Sequence, residues 1–426
     1  MEGAIPIATI CDSCDKWINR NEIAHPDRTY YGVKNWAWHQ LEEAAAIKCA
    51  ICTILHRRLR ALYPRNKSLQ LEWMYSENGF SITVKLDKAI GLEAGKESCL
   101  LEASPLDGRN LESAGRSAMY EYPRRTDASS VISLVRSWMV HCSTNHRSCH
   151  RHPSTYYPPR LLDVRHEQVR LIVPKEMDSF TDTYATLSHC WGARPTFLKL
   201  TSTNMGELCQ GISLGQLPQN FSDAIDLCRR LGLAYLWIDS LCIIQEGDGS
   251  VEDWLYHVTE MRHIYQEATI NIAASRAANA ETGMYVERSS HHLKLSVIRS
   301  HGTGKVSSGL YLLLEHKMAE YEGSWHKSPL NCRGWVFQER LLSPRSVYFA
   351  EEQVHWECCE QQFCETYPAG TNVRLEAVVP GFSLPTLGSN RHAKELEEFI
   401  IKYEDMIHHF TSSQLTYPDI GTLFPS

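Results

Sequence analysis

The sequence predicts an α/β protein built on a parallel sheet, and three observations predict it. Residues 184–275 run strand, helix, strand, helix, strand. The strand runs YATLSHC, AYLWIDSLCII and ATINIAAS are almost continuously apolar, as strands covered on both faces are. The segments between them repeat apolar residues at helical spacing.

In order along the chain, residues 1–65 read as a Cys-rich helical unit. HQLEEAAAIKCAICTILHRRLRALY (39–63) repeats Leu41, Ala45, Cys49, Cys52 and Leu55 at helical spacing. Residues 66–183 read as an α+β lead-in. Alternation such as FSITVKL marks strands between 69 and 103, residues 107–127 are a polar loop, and ASSVISLVRSWMVHC (128–142) is a helix. VRLIVP is a further strand. The core spans 184–360. Within it LPQNFSDAIDLCRRLGL is a helix with Phe221, Ala224, Ile225, Cys228 and Leu231 on one stripe, Asn220 as its N-cap and Gly232 as its stop. The next helix runs from about Val251 to Glu267 and buries Trp254, Val258, Met261 and Tyr265. The pattern weakens over 276–330. CRGWVFQERLLSPRSVYFAEEQVHWECCE is then a helix ended by Pro344 and two strands. Residues 361–426 form a C-terminal extension with a charged helix at 390–410.

The chain has 426 residues, 43% of them hydrophobic and 22% charged, which suits two or three packed units. A net charge of −7 carries no basic footprint, so no nucleic-acid partner is expected. The first residues lack a basic stretch followed by an apolar one, and no apolar run approaches ~20 residues. No membrane partner is expected, and the location is read as cytoplasmic, where the 15 cysteines stay reduced.

Cys11-x-x-Cys14 and Cys49-x-x-Cys52 are two paired thiolate hooks, and two such pairs complete a tetrahedral structural zinc site. His25 or His39 are alternative ligands, and four unrelated thiols are the plain alternative. WMVHCSTNHRSCHRH offers a second cluster of Cys142, His146 and Cys149, with His152 nearby; a polar helix end is the rival reading. Cys358, Cys359 and Cys364 are a weaker group, since adjacent strand residues point to opposite faces.

Ligands of a parallel sheet bind at the carboxyl ends of its strands, and two such ends carry chemistry here. One is Ser188, His189, Trp191 and Gly192. The other is Asp239 with Cys242, and a carboxylate in an apolar run must find partners or face a cleft. The following helix places Asp253, His257 and Glu260 on one face. His189, Asp239, His257 and Glu260 are the candidate catalytic groups, and Ser188, Trp191, Gly192, Cys242, Trp254, Arg333, Gln338 and Arg340 the candidate substrate contacts. Arg333, Gln338, Glu339 and Arg340 cluster near Trp335, and an arginine there can pair with Asp239 as a packing device.

YATLSHCWG, LPQNFSDAIDLCRRLGLAYLWIDSLCIIQEGD, DWLYHVTEMRHIYQEATINIAAS and CRGWVFQERLLSPRSVYF, in that order, resemble the fungal heterokaryon incompatibility (HET) domain. CDSC, CAIC and WMVHCSTNHRSC resemble the Cys-rich lead-in of such proteins. The resemblance implies a flavodoxin-like, distantly TIR-like core and a role in non-self recognition and cell death, acting through a homo-oligomer or an incompatibility partner. It also implies cleavage of NAD by a glutamate beside the cleft. Many members carry that Glu three residues after the Trp of the DW motif, where this chain has His257; Glu260 is the nearest carboxylate. That change motivates a second reading, an enzyme of secondary metabolism acting on a small organic molecule through His and carboxylate chemistry. A non-catalytic binding module is the third. LTYPD resembles the point where longer members continue, so a truncated member is one expectation.

Overall fold

The structure, a computed structural model, describes residues 7–19, 31–62, 69–76, 79–85, 97–106, 122–149, 156–177, 183–288, 296–302, 307–315 and 328–370. The chain starts with α1 (Asp12–Ile18), β1 (Tyr31–Trp36), α2 (Trp38–Ala46), α3 (Ala50–Leu62), β2 (Leu69–Ser76), β3 (Gly79–Lys85) and β4 (Glu97–Pro105). It goes on through α4 (Ser129–Asn145), β5 (Leu161–Asp163), β6 (Arg170–Ile172), β7 (Tyr184–Ser188), α5 (Met205–Gln210), α6 (Gln219–Leu231) and β8 (Tyr235–Trp237). Then come α7 (Asp239–Cys242), α8 (Ser250–Gln266), β9 (Ile270–Ala273), β10 (Ser296–Ser300) and β11 (Gly309–Glu315). The last are α9 (Gly334–Leu342), β12 (Arg345–Phe349), β13 (Val354–Cys358) and β14 (Gln362–Cys364). The expected helix at 390–410 lies outside the described residues.

Two compact units result. The first holds the described residues up to Tyr122 together with β10 and β11. Its six strands form an antiparallel sheet in the order β1-β2-β3-β4-β11-β10. The single helix expected over 39–63 is two helices. Lys48 sits at φ 61, a left-handed conformation that an α-helix cannot contain, and it turns the chain between α2 and α3. The turn brings Cys49 and Cys52 into the same small core as Cys14, Leu41, Ile51 and Leu55.

The second unit runs from Pro123 through β9 and resumes with α9. Its sheet has the order β14-β13-β12-β9-β7-β8-β5-β6. The four central strands β12, β9, β7 and β8 are parallel, and antiparallel strands flank them on both sides. Every residue of β7, β8 and β9 is buried, which is why these segments read as unbroken apolar runs. Taken in chain order the parallel strands lie 2-1-3-4, so the connections leaving β7 and β8 travel in opposite directions. Right-handed crossovers then put α6 and α8 on opposite faces. α4 packs beside α6, and α9 beside α8.

Three local expectations are corrected. AYLWIDSLCII is not one strand: it ends at Trp237, and Asp239 opens the one-turn helix α7, its Oδ1 accepting the Ser240 N–H at 2.6 Å. Asn220 is not an N-cap. α6 starts after Pro218, and the Asn220 amide is buried and donates to the Asn279 carbonyl. Gly232 does end α6, at φ 80. In α8 the buried side chains are His257, Ile264 and Tyr265, whereas Trp254 is 41% exposed. An Asp–His pair took the inward face because Arg160 stands there to receive it.

Candidate functional site

The carboxyl ends of β7 and β9 adjoin at the point where the strand order reverses, the usual ligand position of an open parallel sheet. Ser188 ends β7. Its hydroxyl donates to the Glu339 carboxylate on α9 and lies 3.1 Å from the Asn271 side-chain oxygen on β9. Thr186 reaches the same Asn271 oxygen at 2.9 Å. His189 follows, buried, with Nδ1 3.8 Å from Asp239 Oδ1 and, among the described residues, no partner for Nε2. Trp191 donates its indole N–H to Asp239 Oδ2 at 3.0 Å, and Arg333 donates to the His189 carbonyl at 2.7 Å. Gly192 turns the chain at φ 86. A Cβ there would lie 2.8 Å from the Cβ of Asn279, so only glycine fits.

Charge within this cluster is set by burial. The Glu339 carboxyl is pushed up to about 7 by loss of solvent. Asp239 reinforces the rise, while Ser188, Arg333 and Tyr265 resist it. The His189 imidazole is pushed down by burial, against the pull of Asp239. A carboxyl group that changes state near neutrality and is held by a hydroxyl can take or give a proton or face a developing cation.

Ser188, His189, Trp191, Asp239 and Arg333 thus come together. Asp253, His257 and Glu260 form a separate grouping. His257 is fully buried, Nδ1 donating to the Asp253 carbonyl at 2.8 Å and lying 3.6 Å from its carboxylate. Asp253 in turn accepts from Arg160 and from the Ile244 N–H at 2.8 Å. Arg160 also donates to the Cys242 carbonyl, and the Cys242 thiol, fully buried, is pushed up to about 12. Glu260 lies 3.6 Å from His263. Arg340 makes a two-pronged pair with Glu357 at 2.7 and 2.8 Å, and Tyr348 donates to the same carboxylate. Gln338 is half-buried on α9 beside Glu339. Glu339 and Asn271 are the members that sequence reading left off its site. Asn271 is a polar residue between Ile270 and Ile272, the signal that singled out Asp239, whereas Glu339 stands between Gln338 and Arg340 and carries no such sign.

Among the described residues two groups of side chains could hold a metal ion, each with its ligand atoms within 4.8 Å of one another. In the first unit Cys11, Cys14, Cys49 and Cys52 meet, Cys52 Sγ lying 3.8 Å from Cys11 and 3.4 Å from Cys14. Four thiolates about 2.3 Å from a tetrahedral zinc would stand about 3.8 Å apart, so the set fits. A hydrogen bond from Cys14 pulls the Cys11 thiol down to about 6. In the second unit Cys142, His146 and Cys149 are joined by Cys358, at the end of β13.

Among the described residues no helix is long and apolar enough to cross a membrane. No curated protein and no solved structure matches the chain. Residues 184–339 match the family model described as Heterokaryon incompatibility protein (HET), from the first residue of β7 to the Glu339 carboxylate. That match identifies residues 184–339 of the chain as a HET domain.

Proposed function

We propose that the chain acts in fungal non-self recognition and cell-death signalling, and that its HET core does so by cleaving NAD at the nicotinamide–ribose bond. One observation supports this above the others: a half-buried carboxyl group with a pKa of about 7 stands at the carboxyl end of β7, hydrogen-bonded to Ser188. The parallel order 2-1-3-4 is that of the first four strands of a flavodoxin-like sheet, which supports a TIR-like reading of the core. Glu339 takes the role that the sequence suggested for Glu260. As the C–N bond breaks, nicotinamide leaves with the bonding electrons and the ionised carboxylate stabilises the cation on the ribose. Water then adds to the ribose carbon, and its proton passes to Glu339 and on to solvent. His189 and Trp191 stack at 6.4 Å, and both approach Asp239. In the same proposal the four N-terminal thiols hold one structural zinc ion, which ties α1 to α3.

The full chain is incubated with NAD and nicotinamide release is measured. Glu339→Gln should lower the rate by at least ~100-fold while the protein still melts cooperatively. A wild-type chain that releases no nicotinamide yet arrests fungal cells on expression removes the NAD step and leaves the signalling role. A chain that does neither overturns both.

A further inference from the structure

We propose that Cys142, His146, Cys149 and Cys358 bind a second zinc ion, one that clasps together the two flanks of the HET segment. None of the four lies within residues 184–339: three precede the family match and one follows it. Cys142 stands in the last turn of α4, His146 ends that helix, Cys149 closes the short turn Arg147–Cys149, and Cys358 ends β13. All four are buried. His146 Nδ1 lies 3.3 Å from Cys358 Sγ and 3.9 Å from Cys149 Sγ. A sulfur and a nitrogen sharing a tetrahedral zinc stand about 3.6 Å apart, between these two values.

The surroundings are those of a ligand set. His146 Nε2 is 3.1 Å from the Gln361 side-chain oxygen; donating there fixes the tautomer that leaves the Nδ1 lone pair for a metal. Three thiolates and a neutral imidazole around a divalent zinc carry one net negative charge. Arg345 supplies the balancing positive charge, donating from Nε to Cys142 Sγ at 3.2 Å and bonding the Cys149 carbonyl at 2.8 Å. Three soft sulfurs and one imidazole in a closed, buried set select zinc in a structural role. Binding releases the three thiol protons to solvent and forms three Zn–S bonds and one Zn–N bond, with no change of oxidation state. Trp138 stacked on Phe363 at 6.0 Å already holds α4 against the β13–β14 edge, so the ion fastens a contact that packing has made.

Zinc content of the purified full chain tests this, read separately from the N-terminal thiols. Two ions per chain are expected. Cys358→Ser should lose one and keep the other, and Cys49→Ser should lose the opposite one. His146→Cys should keep both, while the cobalt-substituted protein shifts its absorption from a three-sulfur to a four-sulfur spectrum. A wild-type chain with no zinc, or with one ion that Cys49→Ser removes, overturns the second site. So does Cys358→Ser with both ions retained. Should Cys358→Ser fail to fold, an unchanged cobalt spectrum in His146→Cys overturns it alone.

Discussion

Glu339 shows how one side chain reports its surroundings. Its folded pKa, about 7, lies above the ordinary 4.5, so the folded chain holds the proton more tightly than the unfolded one. That contribution is complete below about pH 4.5 and is lost as pH rises through about 7, above which the carboxylate is ionised in both states. Glu339→Gln removes the slope. Between pH 5 and pH 8 the variant should lose less stability than wild type by roughly 1–3 kcal/mol, allowing for the partial exposure of the group. Urea unfolding at the two pH values measures it, and equal losses would show that Glu339 titrates normally. At this scale the sequence was half legible. Asp239 announced itself as a charge in an apolar run, and it does meet His189 and Trp191. His257 invited a catalytic reading from its position between carboxylates, yet full burial and the Asp253 carbonyl occupy it. Periodicity places residues on a face of a helix but does not say which neighbour waits opposite.

Among elements, α9 carries two charged groups one residue apart with different tasks. Glu339 turns to Ser188, and Arg340 to Glu357 on β13, where Tyr348 and Gln362 also donate. Arg340 was expected at a ligand; it instead ties the helix to the sheet. Removing one partner of a buried, two-pronged pair leaves the other uncompensated. Arg340→Ala should therefore cost about 3–5 kcal/mol, and Arg340→Met combined with Glu357→Gln should recover part of that. Thermal melts of the single and double variants decide it, and additive losses would mean the pair is not coupled. α6 was legible because Phe221, Ala224, Ile225 and Cys228 of its stripe are buried, and Leu231 at its end is partly buried. α2 and α3 were not separable in sequence. Nothing in a run of good helix formers marks Lys48 for a left-handed turn, which is imposed by the packing of Cys49 and Cys52.

For the whole molecule, the residue pattern suggests boundaries after residues 65 and 183, whereas the two compact units divide between Tyr122 and Pro123, and β10 and β11 return to the first unit. They lie in the weakly patterned stretch after β9 and complete the first unit's sheet beside β4. Long-range pairing of this kind leaves no local sign. Among the described residues Cys14, Cys49 and Cys52 are themselves part of the first unit's core, so the proposed N-terminal zinc should matter to it most. Chelator treatment at neutral pH, or Cys49→Ser with Cys52→Ser, should expose the first unit to protease while the central strands of the second stay protected at short times. Equal protection of both would argue against metal dependence. The late arrival of β10 and β11 also bears on synthesis. About 200 residues separate Pro105 from Gly309, the start of the strand that pairs with β4, so β4 leaves the ribosome with one edge bare for roughly 10–40 s at about 5–20 residues per second. A nascent chain stalled in that interval presents an unpaired strand to its neighbours, and chaperone capture should concentrate there rather than on the HET segment.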